Sequence, residues 1–435
     1  MQFSDTYIVY GMGKSGLATA SAILKAGGTV YIGDDKIIDD TVLPNAHRLD
    51  KSLKTLPKAT ALIGAPGIAL THPKPHHIYE LANAVKMPIL CDVELFYRVY
   101  HRQSNVQFIA ITGTNGKSTT TAITTHLLNH AGHNAVYGGN IGTAVFELVI
   151  DHKPIIYVLE VSSYQADMCF DFAPDSIGFL NLTPDHIDRH GTIDTYFASK
   201  MRLFQHLSIK GKAHISGHEF NQLGAWETKA VHLANQHNAL ITLSEAQCTQ
   251  IKELIKNNPY LAGNHNYTNS LTACALIYAL GIDDFSGLLT YQGLPHRTEF
   301  VTKKHEIQFI NDSKATNAEA TRPALNAYKN IYWLAGGVQK SEGIMPLIKH
   351  DVSQVKHAYF YGEAGARFYE VAEAHNLPCT LSDTLENALK IAFKDAKGDE
   401  SLEKTVLLSP SCASFDAFSN FEHRGNFFKQ LVETL

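Results

Sequence analysis

The residues best suited to chemistry are Gly113-Thr114-Asn115-Gly116-Lys117-Ser118-Thr119. Two glycines let backbone N–H groups turn toward an anion, and the positive end of a following helix adds to the attraction. A lysine next to the second glycine would reach terminal phosphates, and the Ser118 hydroxyl would ligate Mg²⁺. The general phosphate-loop pattern asks for a further glycine five positions before Gly116, where this chain has Ile111. The local logic survives that loss, and we read the stretch as a nucleoside triphosphate site for ATP.

Such a loop works only when a strand delivers it and a helix receives it. Val106–Ile111 is a β-rich apolar run. The segment after Lys117 has apolar positions at Ile123, Leu127 and Leu128 and stops at Gly132. Nearer the N-terminus, Thr6–Tyr10 reads as a strand, followed by Gly11-Met-Gly13-Lys-Ser15-Gly16 and a helix-like run. Thr29–Ile32 is the next strand and ends near Asp34, 18 positions after Gly16. That is the βαβ dinucleotide fingerprint, compatible with NAD, FAD or another nucleotide. Ala61–Gly64 reads as a strand entering the turn Ala65-Pro66-Gly67, which could lie against the same ligand. A domain boundary is expected within Asp92–Asn105.

Further polar groups gather at expected strand exits, where ligands of open α/β sheets bind. Glu160 ends the strand Ile155–Leu159 and is placed to hold Mg²⁺ directly or through water. Asn140 lies in Gly138-Gly-Asn-Ile-Gly142, either a ligand contact or a plain turn. The strand Ile177–Leu182 leads into Asp185-His186-Ile-Asp188-Arg189-His190, a dense acid, imidazole and guanidinium cluster. Lys200 lies among apolar neighbours in a helix over 196–204. Gly263-Asn-His-Asn266 opens a helix over 267–280. In the last third, strands read at Ile307–Ile310, Ile331–Leu334, His357–Tyr361 and Thr405–Leu408. Their exits carry Asp312, Lys314, Thr316, Lys340, Ser414 and Phe421, suited to an anionic small molecule.

The bulk numbers set limits. A chain of 435 residues exceeds one ordinary core and suggests two to three domains. Hydrophobic content of 45% with 18% charge fits a folded globular protein. A net charge of −5 offers no polybasic footprint, so neither nucleic acid nor a membrane surface is expected as partner. No apolar run approaches ~20 residues. Six scattered cysteines without CxxC spacing argue against a zinc site or disulfide framework and suit a reducing cytoplasm.

Taken together and in order, these motifs resemble the Mur ligase family of peptidoglycan synthesis. TGTNGKST at 112–119, GNIG at 139–142, EVSS at 160–163, DHIDRH at 185–190 and ASKMR at 198–202 carry the resemblance. GNHN at 263–266, LPHRTE at 294–299, NDSKATN at 311–317 and SPSCASFDAFSNFEHRG at 409–425 extend it over nearly the whole chain. NDSKATN and SPSCASFD point to the branch that adds D-glutamate, and the missing first loop glycine is itself a family feature.

The resemblance implies a three-domain α/β protein: a Rossmann-like UDP-binding domain over 1–93, a P-loop-type ATPase over 94–297 and a Rossmann-like amino-acid domain over 298–435. It implies an ATP-dependent amide ligase that joins D-glutamate to UDP-N-acetylmuramoyl-L-alanine through an acyl phosphate, acting as a monomer in the bacterial cytoplasm with ATP and two Mg²⁺. Gly11, Gly13, Ser15, Asp34 and Asn140 would then hold the uridine substrate. Gly113 to Thr119, Asn266, Asn269, Arg297 and Asp312 would hold ATP. Ser118, Glu160, His186 and a carbamylated Lys200 would hold metal, with Lys117, His186 and Lys200 catalytic. Lys314, Thr316, Lys340, Ser414 and Phe421 would hold D-glutamate. The family often shows GG-D-x-K where this chain has Gly336-Gly337-Val338-Gln339-Lys340, and Ala65 replaces a commoner serine. A folylpolyglutamate synthase-like ligase, another Mur ligase, a non-catalytic nucleotide-binding module and a Rossmann oxidoreductase are the rival readings.

Overall fold

The apolar runs become three largely parallel sheets whose central strands are buried on both faces. The computed structural model describes residues 5–36, 38–39, 41–50, 52–103, 105–149, 153–208, 210–218, 223–339, 343–350 and 352–435. Lys340 and Ser341 lie outside these described residues. Two compact units emerge: residues 1–250 with 268–287, and residues 251–267 with 288–435. Among the described residues the first unit holds two five-stranded sheets, and the second holds a six-stranded sheet and a two-stranded ribbon.

The first sheet contains β1 (Thr6–Tyr10), β2 (Thr29–Gly33), β3 (His47–Arg48), β4 (Ala61–Gly64) and β5 (Ile89–Leu90), in the order β3-β2-β1-β4-β5. The chain builds outward from β1 on one side, then returns to the other. The order therefore switches at β1/β4, where ligand crevices open. Alternate side chains feed two cores: Tyr7 and Val9 join Ala20 and Ile23, while Ile8 and Tyr10 join Ile78 and Tyr79.

The second sheet contains β6 (Val106–Thr112), β7 (Ala135–Gly139), β8 (Ile155–Glu160), β9 (Ser176–Phe179) and β10 (Lys212–Ile215), in the order β10-β9-β6-β8-β7. β6 is central, so the phosphate loop after it stands at this sheet's own switch point. The stretch 92–105, expected to carry a boundary, is mostly a helix, Asp92–Tyr100. Its Phe96 and Tyr100 are buried with Phe108 and Tyr157, and Phe96 meets Tyr157 edge-on at 5.0 Å.

The third sheet contains β11 (Glu299–Lys304), β12 (Ile307–Asn311), β13 (Ile331–Gly336), β15 (Val355–Tyr361), β16 (Cys379–Leu381) and β17 (Lys404–Leu408). Its order is β11-β12-β17-β13-β15-β16, with β11 antiparallel at the edge. β14 (Val338–Gln339) and β18 (Cys412–Ala413) form a short antiparallel ribbon. Among the described residues no helix is long and apolar enough to cross a membrane.

Candidate active site

The phosphate loop leaves β6 at Gly113 and enters the helix Lys117–His130 at Gly116. Gly116 has φ +84°, and any side chain there would also meet the Asn269 amide and Leu180, so this position requires glycine. Ile111 is fully buried and paired in register with Glu160. It belongs to the strand, which explains why the loop does without a glycine there.

Five expected residues converge at this loop. Ser118 Oγ donates to Glu160 Oε2 at 2.6 Å, and Asn140 Nδ2 donates to Glu160 Oε1 at 2.7 Å. Glu160 is thus held from both sides at the end of β8. Lys117 Nζ donates to the carbonyls of Gly113 and Thr114 at 3.1 and 2.7 Å. Lys200, 1% exposed in the helix Ile193–Gln205, donates to the same Gly113 oxygen at 2.8 Å. Burial first, and Lys117 second, push the Lys200 amine well below the usual lysine range. Thr114 Oγ1 lies 3.1 Å from the Tyr196 hydroxyl, and Asn115 N–H donates to Asn181 Oδ1 at 2.9 Å. Thr119 is half-buried one step into the helix.

His186 is half-exposed, has φ +55° and lies 3.4 Å from Asp185 Oδ2. Burial, together with the positive charges of Lys117 and Lys200, draws its pKa down. Among the described residues no three His, Cys, Asp or Glu side chains gather as a ready-made metal cage. The hard oxygens of Ser118 and Glu160 nevertheless form the donor pair that suits Mg²⁺ at a phosphate loop.

Sequence reasoning overlooked the group behind His186. His190 Nε2 lies 2.9 Å from Ser163 Oγ, and Nδ1 lies 3.5 Å from Asp167 Oδ2. Burial and Lys200 lower the His190 pKa to about 4, and burial raises that of Asp167 to about 6. The order imitates a Ser-His-Asp triad. Ser163, however, is 2% exposed at the start of a short helix, where no substrate carbonyl could reach it. The arrangement orients a ring.

The first glycine loop is stitched by its acid. Asp34 accepts from Met12 N–H at 2.5 Å and from Lys36 N–H at 2.8 Å, and Gly11 N–H donates to Gly33 O at 2.8 Å. Ser15 Oγ donates to Asp92 Oδ2 at 2.7 Å, and Lys14 donates to the Gly142 carbonyl. Gly13 caps the following helix and faces open space. A separate cleft of about 790 Å³, lined by Leu17, Ser21, Val42, Tyr100 and Phe146 among others, holds none of the expected residues.

In the second unit, Asp312 ends the β12 exit and accepts from Ser409 Oγ at 2.7 Å and Thr298 N–H at 3.1 Å. Burial raises its pKa to about 7. Lys314 Nζ stands 3.9 Å above the Phe421 ring, and Lys314 N–H donates to His296 O. Ser414 is buried, and its carbonyl accepts from the N–H groups of Ala417 and Phe418. Asn266 is buried, with Nδ2 donating to Ala262 O at 2.9 Å. Val338, where an acid was expected, pairs with Ala413 in the ribbon. Arg424 was quoted in a motif without a role. It is fully buried and gathers Ser313, Gly336, Cys412 and Ala413 onto one guanidinium.

Residues 111–277 match the Mur ligase middle domain. The chain is 38% identical to the UDP-N-acetylmuramoylalanine--D-glutamate ligase of Nitrobacter hamburgensis, covering 99% of this chain and 96% of the relative. It is also 38% identical to the ligase of the same name from Caulobacter vibrioides, covering 100% and 97%. Among solved structures it resembles the MurF ligase of Thermotoga maritima in complex with ADP, with a TM-score of 0.57, 14% identity and coverage of 100% and 96%.

Proposed function

The chain belongs to the Mur ligase family, and from that premise we propose that it is the ATP-dependent ligase joining D-glutamate to UDP-N-acetylmuramoyl-L-alanine. The observation that carries this reading is the convergence of Lys117, Ser118, Glu160 and Lys200 on one phosphate loop. The site acts in the bacterial cytoplasm as part of a monomer. We propose domain limits of 1–93, 94–297 and 298–435 for uridine substrate, ATP and amino acid.

In this reading the L-alanyl carboxylate attacks the γ-phosphorus of ATP, ADP leaves, and an acyl phosphate forms. The D-glutamate amine then attacks the acyl carbon and loses a proton, and phosphate departs to leave the amide. Lys117 neutralises charge on the terminal phosphates. Ser118 and Glu160 hold Mg²⁺, and His186 with a carbamylated Lys200 holds a second ion. Bound Mg²⁺ supplies Lewis-acid neutralisation of phosphate charge. Asn140 steadies Glu160 and faces the uridine substrate, while Gly11, Gly13, Ser15 and Asp34 shape the nucleotide pocket. Asn266, Asn269, Arg297 and Asp312 hold the adenosine portion. Lys314, Thr316, Ser414 and Phe421 hold D-glutamate; Lys340 has the same assignment from sequence alone.

Thermal unfolding with added ligands tests the substrate classes, since a ligand that binds only the folded state stabilises it by RT ln(1 + L/Kd), where L is the free ligand concentration. Stabilisation by the uridine substrate and by ATP with Mg²⁺ is expected. Stabilisation by NAD alone would overturn the reading.

A further inference from the structure

A line of cation and ring contacts in the first unit reaches Lys200 through residues that have no part in the chemistry above. Arg189 Nη1 donates to Gly67 O at 3.1 Å and Nη2 to Pro66 O at 3.5 Å. Those carbonyls belong to the turn after β4, which is tied to the end of β1 by Ala65 N–H donating to Tyr10 O at 2.9 Å. The turn therefore sits at the strand-order switch of the first sheet.

The same guanidinium lies over Tyr164, 4.8 Å from its centroid. Tyr164 stacks on His190 with centroids 5.3 Å apart and planes 7° from parallel. His190 meets Tyr196 at 5.2 Å, and Tyr196 carries the Lys200 ammonium 4.4 Å from its centroid. Lys200 in turn donates to the phosphate loop at Gly113. The contacts run without a break from the Pro66–Gly67 turn to the loop.

Each link depends on orientation. A planar guanidinium can direct two N–H groups in its plane at two carbonyls while its face stacks on an aromatic ring; an ammonium has no face to stack. His190 is held at Nε2 by Ser163, with Asp167 Oδ2 3.5 Å from Nδ1, and its ring is 4% exposed, so it serves as a rigid spacer. A shift of the turn that moved Arg189 would alter the stacking that positions Lys200.

We propose that Arg189 is a positioning residue that couples occupancy of the Pro66–Gly67 turn to the phosphate loop through Tyr164, His190 and Tyr196. The proposal rests on the ligase reading, in which the turn faces the uridine substrate and the loop faces ATP. By linkage the coupling is reciprocal: each ligand tightens the other by the same factor.

The test measures binding of UDP-N-acetylmuramoyl-L-alanine to the full chain by calorimetry, with and without a non-hydrolysable ATP analogue and Mg²⁺. Steady-state kinetics and thermal unfolding accompany it. Wild-type protein should show coupling of at least about fivefold, which Arg189→Gln should bring close to one. The same variant should raise KM for the uridine substrate about tenfold and, by the same reciprocity, KM for ATP about fivefold at saturating uridine substrate, while leaving the affinity for ATP alone within about twofold. Arg189→Lys should recover part of the uridine-substrate KM without the coupling. Tyr164→Leu should lose the coupling too, and combining it with Arg189→Gln should add little, because neighbours in one network are not additive.

Coupling that survives in Arg189→Gln, or single effects that multiply independently, would overturn the proposal. If Arg189→Gln fails to fold, Tyr164→Leu and Arg189→Lys decide by the same criteria. Wild-type protein that releases phosphate with D-glutamate yet shows no coupling would defeat this inference alone. Absence of that release in the wild type would defeat the ligase reading instead.

Discussion

Lys117 and Lys200 share one acceptor: the Gly113 carbonyl receives Lys117 Nζ at 3.1 Å and Lys200 Nζ at 2.8 Å. Two ammonium groups on one oxygen repel, and Lys200 is also nearly removed from water. Both effects favour its neutral amine. A neutral amine can add to the carbon of CO₂ and release a proton, which is the step that carbamylation of Lys200 requires.

Replacing Lys200 with methionine should therefore abolish turnover and stabilise the ligand-free protein. Exchanging a buried ionisable amine, whose desolvation costs stability in either protonation state, for an apolar side chain of similar length is worth about 1–4 kcal/mol in favourable cases. The sign with pH follows from proton counting. Between the lowered folded pKa and the ordinary unfolded value, the unfolded chain binds the extra proton, so wild-type stability rises with pH. The advantage of Lys200→Met should then shrink as pH rises from neutral toward 10. Thermal melts of both proteins across that range check this; a variant less stable than wild type at neutral pH would contradict it.

Lys117→Ala should leave the melting temperature nearly unchanged, because the side chain is only half-buried. Its turnover should fall by roughly 10²–10³, the usual cost of deleting one preorganised electrostatic donor. Near-normal kcat would remove Lys117 from its assigned role.

Asp312 gives the opposite pH signature. Burial raises its folded pKa to about 7 from an ordinary 3.8. Between these values the folded state holds the proton that the unfolded state has lost, so this group's contribution falls as pH climbs to about 7 and then levels off. Asp312→Asn keeps an acceptor for Thr298 N–H and can donate to Ser409. It should match wild type near pH 4 and exceed it by a few kcal/mol, roughly, at pH 8. Equal pH dependence of the two proteins in a stability titration would show that Asp312 stays ionised.

Arg424 is a structural hub with the carbonyls of Ser313, Gly336, Cys412 and Ala413 as acceptors. Arg424→Ala strands those oxygens and opens a cavity, at a cost of about 3 kcal/mol or more. A loss below about 1 kcal/mol in thermal unfolding would mean that water or a neighbour replaces the guanidinium.

Much of the fold was legible because buried parallel strands are continuous apolar runs. Thr6–Tyr10, Ala61–Gly64 and Ile307–Ile310 were found almost to the residue. β11 escaped because Glu299–Lys304 is polar and half-buried, and its turn is His305-Glu306. Both turn residues have positive φ, where Asn-Gly is the expected signal. The helix Asp92–Tyr100 was missed because charged Asp92 and Glu94 read as linker. Glu94 is buried and accepts the N–H groups of Phe170, Asp171 and Phe172. The phosphate loop and Glu160 were readable from residue type at strand exits, whereas Lys200, within the helix Ile193–Gln205, took its role from the family resemblance. Ser163, Tyr164, Asp167 and Tyr196 were not, since they acquire meaning only when folding stacks them around His190.

The central claim is tested most directly by phosphate release from ATP and Mg²⁺ in the presence of UDP-N-acetylmuramoyl-L-alanine, comparing D-glutamate with L-glutamate, L-alanine and L-lysine. The account predicts release that depends on D-glutamate. Release driven by another amino acid, or by none of them, would contradict it.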